Sequence, residues 1–529
     1  MSYTILITDA VDPVCADLLR AEGMEADVQL KRTPEELSDL AREADAWIIR
    51  SGTKITAGMI EGAERLKVIG RAGVGVDNID LAAATRRGIL VINAPDGNTI
   101  STAEHTVAML MALARRIPPA NASLRAGRWD RKAFKGSELY EKTLGVVGVG
   151  KIGRAVARRM QAFGMNVLGY DPVLSREVAE RLGITLVSLG EIFEKSDFIT
   201  FHTPLNEATR GMVNRETLAR CKRGVYLVNC ARGGIIDEEA LWEALEAGQV
   251  GGAALDVYSQ EPPPPSLTRL LAHPNVVATP HIAASTEEAQ RKVARQVTEQ
   301  VIHALKGEPV HSAVNAMAIR MAAHSEVQPY LGLAEKMGLM AGQLGSGHLE
   351  RVVVRCHGDV PHRYAEVLKI AVLKGLLGCS QSRPVNLINA PVLAEEVGLA
   401  VEAQLYTAKG GFSNLIEVTL ETDRERRVVA GALFGADDPR LVRIDDYRLE
   451  VRAEGRLLFY RNVDRPGMLA AVGGILAEAD LNIGALALGR AGKGSTALTA
   501  ISVDEPVPEP VLRKISALEG VDRVHLIFV

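Results

Sequence analysis

The run Thr143-Leu144-Gly145-Val146-Val147-Gly148-Val149-Gly150-Lys151-Ile152-Gly153 decides the fold. It is a strand entering a Gly-x-Gly-x-x-Gly turn, with a helix after it. The glycines serve a tight turn, close backbone approach to a pyrophosphate, and close helix–strand packing. The helix start adds free N–H groups and a partial positive charge for the phosphates. The next candidate strand ends at Asp171, eighteen residues beyond Gly153. A carboxylate there accepts hydrogen bonds from ribose hydroxyls and repels a 2′-phosphate. Pro172 and Val173 follow, with no immediate arginine to compensate that phosphate, so the pattern favours NAD over NADP.

Outward from this turn, candidate strands at 143–148, 166–171, 197–202, 225–230, 253–257 and 276–279 form one α/β series. Upstream, apolar runs at 3–8, 45–50, 66–70 and 89–93 alternate with helical stretches and form another. A long helix at 101–116, with Ser101 and Glu104 as an expected capping box, separates the two series. A second long helix, from Ser285 to Lys306, is stopped by Gly307 and returns to complete the first unit. The expected division is 1–98 with 286–315, then 99–285, then an α+β unit at 316–452. A β-α-β-β-α-β unit at 453–529 ends the chain.

The chain has 529 residues, which at roughly 150 per domain suggests three or four domains. Apolar residues are 47% and charged residues 24%, with a formal charge of −4, so a polybasic nucleic-acid binder is excluded. An aromatic content of 4% argues against stacking platforms for single strands. No membrane helix is indicated, and the opening stretch around Tyr3–Asp9 reads as folded domain rather than signal peptide. The five dispersed cysteines lack a Cys-x-x-Cys pair, so no metal site is expected and a reducing cytoplasm is.

Three residues follow later strands of the central unit, at the strand ends where open α/β sheets bind ligands. Arg232 is followed by Gly233 and Gly234, which let backbone approach a ligand, and its guanidinium clamps a carboxylate through two bonds. Glu261 lies in Asp256-Val257-Tyr258-Ser259-Gln260-Glu261-Pro262, and His281 in Thr279-Pro280-His281-Ile282-Ala283-Ala284. Hydride transfer at a hydroxyl carbon needs a group to take the hydroxyl proton, and histidine titrates in the right range. A carboxylate on its other ring nitrogen fixes the tautomer. Thr203 is placed to touch the nicotinamide half; His202 and His105 read as packing or capping residues.

These residues resemble the D-isomer-specific 2-hydroxyacid dehydrogenase family. The matches are Gly148-x-Gly150-x-x-Gly153, Asn229-x-Ala231-Arg232-Gly233-Gly234, Asp256-Val257 with Glu261-Pro262, and Pro280-His281. The resemblance implies an NAD-dependent enzyme in which Arg232 holds the substrate carboxylate, His281 is the acid/base and Glu261 its partner. It further implies a cofactor lining of Val74, Gly148, Gly150, Lys151, Ile152, Gly153, Asp171, Thr203, Cys230, Ala231, Arg232, Asp256, His281 and Ala284. The implied fold is α/β: a Rossmann-type NAD domain with a flavodoxin-like substrate domain, then an α+β intervening domain and a ferredoxin-like ACT domain. Ala283 stands where the family usually has glycine, and is expected to narrow the space beside the nicotinamide.

Segments 50–54, 70–78, 93–98 and 129–134 are similar to the long branch of the family, whose members oxidise 3-phospho-D-glycerate in the phosphorylated route to serine. That similarity implies that Arg50, Arg71, Asn98 and Arg131 hold the substrate with its phosphate. Segments 384–391 and 437–445 resemble the branch's intervening domain, where Arg440 and Arg443 either form an anion site or face solvent. Asp464-Arg465-Pro466-Gly467 and Asn482-Ile483 resemble ACT motifs, implying that Asp464 and Asn482 bind serine between two ACT domains of a homo-oligomer, dimer or tetramer. Two other readings stay open: a dehydrogenase for another D-2-hydroxy acid (glyoxylate/hydroxypyruvate or 2-hydroxyglutarate type), and a non-catalytic protein that senses NAD.

Overall fold

The structure is a computed structural model and describes residues 3–379, 384–407, 411–435, 437–492 and 494–529. Met1 and Ser2, at the head of the expected first unit, lie outside the described residues, as do 380–383, 408–410 and 436 of the third unit and 493 of the fourth.

Near-continuous apolar runs place the first strands in a sheet covered on both faces. β1 (Thr4–Ile7), β2 (Glu25–Val28), β3 (Ala46–Ile49), β4 (Val68–Arg71) and β5 (Leu90–Asn93) are parallel in the order β2-β1-β3-β4-β5. This is the flavodoxin-like order. The sheet cannot close its core from these residues alone. The return helix Glu287–Lys306 supplies Val293, Val297, Val301 and Leu305 to the same buried cluster as Ile5, Ile48, Val68 and Ile92. Thr286 caps that helix by accepting the Ala289 N–H at 3.2 Å, and Gly307 ends it at φ 74°.

The second sheet holds β6 (Thr143–Val147), β7 (Asn166–Tyr170), β8 (Thr185–Leu186), β9 (Phe198–Phe201), β10 (Val225–Asn229), β11 (Val250–Leu255) and β12 (Val276–Ala278). Its order, β12-β11-β10-β9-β6-β7-β8, is parallel and doubly wound. The strand order reverses between β6 and β9, so a crevice opens above their carboxyl ends. The helix Thr99–Ala114 joins the two sheets. It starts at Thr99, two residues before Ser101, and its N-cap residue, Asn98, makes no side-chain cap bond. The expected capping box is therefore absent: Ser101 Oγ lies 2.7 Å from Thr286 Oγ1, and Glu104 pairs with Arg159.

Beyond residue 316 a six-stranded sheet has the order β14-β13-β15-β16-β17-β18. It contains β13 (Leu349–His357), β14 (Ala400–Tyr406), β15 (Leu415–Thr422), β16 (Arg426–Phe434), β17 (Asp438–Ile444) and β18 (Tyr447–Arg452). The stretch 441–450 turns at Asp445 (φ 49°) into the β17–β18 hairpin. Arg440 pairs with Asp438 and Glu450, and Arg443 with Glu417, so both are paired with carboxylates rather than free in solvent.

The last sheet is antiparallel, β20-β21-β19-β22, from β19 (Arg456–Val463), β20 (Ile483–Arg490), β21 (Thr496–Val503) and β22 (Val521–Phe528). With the helices Met468–Glu478 and Glu509–Ser516 it makes the β-α-β-β-α-β unit. It shares a core with the preceding sheet, since Phe459, Leu498, Ala500 and Ile527 pack in one cluster with Leu344, Tyr447 and Leu449. Arg523 bonds Glu425 across the same junction at 2.8 Å. Among the described residues no helix is long and apolar enough to cross a membrane, and no group of three metal-ligating side chains converges.

Candidate active site

The two parallel sheets face each other across a cleft of about 620 Å³ whose lining includes Arg50, Arg71, Val74, Asn98, Arg232, Glu261, His281 and Ala284. The carboxyl ends of β3, β4 and β5 present Arg50, Arg71 and Asn98 from one side; loops after β10 and β11 and the loop after β12 present Arg232, Glu261 and His281 from the other. Asp9 shapes the first loop by accepting the N–H groups of Arg50 (2.6 Å) and Thr53 (3.1 Å), and Asn78 donates to the carbonyls of both residues.

The cleft is short of anions. Burial, with Arg232 beside it, brings the Arg71 guanidinium down to about 10, which still leaves it charged at neutral pH. Its Nε is buried without a partner, and so is the side-chain oxygen of Asn98. Arg232 crosses the cleft to Asp77 through Nε at 3.0 Å and donates Nη1 to the Ala231 carbonyl at 2.7 Å. Sequence reading missed Asp77, although it lies six residues beyond Arg71 in the same motif. A ligand carboxylate would contend with Asp77 for that guanidinium.

His281 Nδ1 sits 2.7 Å from Glu261 Oε2. A carboxylate only accepts there, so Nδ1 carries the proton and a neutral ring presents Nε2 as a base. The other Glu261 oxygen accepts the Tyr258 N–H at 3.2 Å, which fixes the carboxylate at both ends. Tyr258, unrecognised in the sequence, also donates its hydroxyl to the Thr279 carbonyl at 2.9 Å. His281 adopts φ 53°, a left-handed conformation that costs a non-glycine residue roughly 1–3 kcal/mol and persists only where its surroundings enforce it. Beneath it, the Asp256 carboxylate is fully buried and accepts from Thr279 Oγ1 (2.6 Å), Ile282 N–H (2.9 Å) and Ala283 N–H (2.9 Å). Burial would push this carboxyl up; the bonds from His105, Thr279, Ile282 and Ala283 more than offset that and hold it below the usual range.

The glycine turn has the form its spacing implies. Gly148 is at φ 89°, and a side chain there would strike the His202 carbonyl at 2.6 Å. A Cβ on Gly153 would lie 2.1 Å from the Gly148 carbonyl. At Gly150 it would meet nothing within 4 Å, because that glycine faces the open crevice. Asp171 accepts the Val149 N–H on one oxygen and those of Val173 and Leu174 on the other, holding its carboxylate at the end of β7. Thr203 leaves a buried hydroxyl without a partner beside the turn. Ile152 lies in the first turn of the helix after Gly150, and Lys151, beside it, pairs with Asp96 across the cleft. These residues fit a dinucleotide: open space over Gly150, N–H groups of the helix Lys151–Ala162 for the phosphates, and a carboxylate for the ribose.

Other expected residues lie elsewhere. The Cys230 side chain is buried, and burial with the neighbouring Asp256 pushes its thiol up to about 12. Asp256 lies beneath the catalytic loop and is not part of the cleft lining. Ala283 does not narrow the cleft: with its N–H held by Asp256, it packs into the buried core of Val228 and Ala254. Arg131 is not part of the cleft of its own chain, because its loop follows the helix Ile117–Arg125 out into solvent. Asp464 pairs with Arg490 at 3.1 Å, whereas Asn482 donates to Asp504 at 2.7 Å. Since Arg490 ends β20 and Asn482 precedes it, the two expected effector residues stand roughly 25 Å apart, the rise of eight strand residues.

The class follows from fold and site together: the NAD-binding domain of the D-isomer specific 2-hydroxyacid dehydrogenases matches residues 107–283. Among solved structures, a D-lactate dehydrogenase of Aquifex aeolicus complexed with NAD and lactic acid is 30% identical, with a TM-score of 0.53 over 57% of this chain and 96% of that one. A glyoxylate reductase of Paecilomyes thermophila is 31% identical, with a TM-score of 0.55 over 59% and 98%. The D-3-phosphoglycerate dehydrogenase intervening domain matches residues 326–445 and the ACT domain residues 456–520. D-3-phosphoglycerate dehydrogenase of Methanocaldococcus jannaschii is 42% identical over 99% of both chains, and that of Bacillus subtilis 42% identical over 91% of this chain and 92% of that one. The chain belongs to the D-3-phosphoglycerate dehydrogenase family.

Proposed function

We propose that this chain catalyses the NAD-dependent oxidation of 3-phospho-D-glycerate to 3-phosphooxypyruvate, the first step of the phosphorylated route to L-serine. The convergence of Arg50, Arg71 and Arg232 on one cleft with the His281–Glu261 pair supports this reading. Arg232 takes the carboxylate beside the reacting carbon, while Arg50, Arg71 and Asn98 face the phosphate end. His281 Nε2 accepts the C2 hydroxyl proton, and the resulting imidazolium is stabilised by Glu261. The C2–H bond breaks as its electron pair leaves with the hydrogen, and C2 becomes a carbonyl. NAD, when bound along Gly148–Gly153, is the acceptor of that hydride.

The direct test is NADH formation on 3-phospho-D-glycerate beside D-glycerate, D-lactate and D-2-hydroxyglutarate. The expected kcat/KM is about 100-fold or more in favour of the phosphorylated acid, since Arg50 and Arg71 then find their partner. Faster turnover of an unphosphorylated acid overturns the substrate assignment, and no turnover of any of them overturns the enzyme reading. Cofactor choice is tested at Asp171: Asp171→Asn removes the charge that repels a 2′-phosphate, and should shift the NADP-to-NAD ratio of kcat/KM upward by roughly tenfold.

The division 1–98 with 286–315, 99–285, 316–452 and 453–529 assigns substrate binding, NAD binding, an intervening role and regulation in turn. With Asp464 and Asn482 at opposite ends of one ACT sheet, a serine held by both requires two copies running antiparallel, which favours a homo-oligomer (dimer or tetramer). The five free cysteines, four of them buried, support a cytoplasmic setting.

A further inference from the structure

We infer that His105 is a positioning residue that holds the acid/base His281 in its working conformation through Asp256. The inference rests on the reading of His281 as the proton acceptor. His105 lies in the second turn of the helix Thr99–Ala114, which begins beside Asn98 of the substrate cleft. Its side chain is 18% exposed, and its Nε2 points at Asp256 Oδ1 (3.4 Å) and at Thr279 Oγ1 (3.3 Å). Because a carboxylate only accepts, Nε2 is the donor to it.

The Asp256 carboxylate grips the catalytic loop on both sides of His281. Thr279 precedes the histidine by two residues and donates to one oxygen; Ile282 and Ala283 follow it directly and donate backbone N–H groups to both. Between these grips lies the residue at φ 53°. The loop therefore keeps an unfavourable backbone conformation only while Asp256 stays ionised and in place, amid the apolar packing of Val228, Ala254 and Ala283. His105 is the one ring donor that reaches this carboxylate among the described residues. Removing it leaves a buried charge short of a donor, and the relaxed loop carries the imidazole away from Glu261. A displacement of about 1 Å at a reacting group costs up to roughly 100-fold in rate.

The test compares His105→Ala and His105→Gln with the wild type in full steady-state kinetics on the acid that the wild type turns over best. His105→Ala is expected to lower kcat by about 10–100-fold while the KM values for acid and NAD change less than about threefold. His105→Gln, whose amide N–H can reach Asp256, should recover to within about fivefold of wild type. A second readout is the pair His105→Ala with Asp256→Asn: if both act through one grip, the double variant loses little more than the worse single one. A kcat for His105→Ala within threefold of wild type overturns the inference, as does a glutamine variant as slow as the alanine one, or a loss confined to the KM for NAD. Where His105→Ala does not fold, His105→Gln and Asp256→Asn decide alone: a glutamine variant more than tenfold slow, in folded protein, also overturns it. Because the wild type's own substrate is used, failure here is distinct from failure of the 3-phosphoglycerate assignment.

Discussion

His281→Ala lowers kcat for NADH formation by about 10²–10⁴-fold, the usual contribution of a positioned general base. The loss falls on kcat more than on either KM, because Nε2 meets the hydroxyl proton only as the C2–H bond breaks. Calorimetric titration with NAD should give an affinity within a few-fold of wild type, since the glycine turn, Asp171 and Thr203 are untouched. Glu261→Gln keeps a hydrogen-bonding side chain at 2.7 Å from Nδ1 but removes the charge that stabilises an imidazolium, so its loss is smaller than that of His281→Ala. An alanine variant turning over at near wild-type rate would remove His281 from the chemistry.

Arg232→Ala has the second large effect, expected as a fall in kcat/KM of about 10²–10³-fold, expressed chiefly as a raised KM for the acid. A charge-assisted pair with a carboxylate in a half-buried cleft is worth about 2–5 kcal/mol to truncate, and the variant also releases Asp77 as an uncompensated negative charge facing an anionic substrate. Arg232→Lys should restore only part of the loss, because an ammonium keeps the charge without the fork that fixes the carboxylate in plane. Equal kcat/KM values for wild type and Arg232→Ala on 3-phospho-D-glycerate would place the substrate carboxylate elsewhere.

Much of the two parallel sheets is legible in the sequence, because central strands buried on both faces write themselves as apolar runs: Trp47, Ile48 and Ile49 in β3, Val146 and Val147 in β6. Absent from that reading are β2, β8 and β14, each at a sheet edge and partly exposed, with polar residues such as Glu25, Asp27, Thr185 and Glu402. Burial on one side only leaves no run to find. The glycine turn, Arg232, Glu261 and His281 were readable because each sits at a strand end with distinctive neighbours. His105 and Asp77 were not, since their roles depend on partners 151 and 155 residues away. Ser101 misled for the same reason: its hydroxyl is used by Thr286, far along the chain, rather than by the local backbone. Arg131 shows the converse, a motif residue whose own chain offers it no partner in the cleft.

The return helix Glu287–Lys306 has a consequence for the order in which the molecule is made. The first five strands emerge during translation without Val293, Val297, Val301 and Leu305, the side chains that cover one face of their sheet. About 190 residues separate the end of β5 from that helix, and at 5–20 residues per second the ribosome needs roughly 10–40 s to add them. All seven strands of the second sheet lie within that interval. The nucleotide-binding half can therefore be complete while the half that precedes it in sequence still waits, its apolar face uncovered and open to chaperones or to wrong partners.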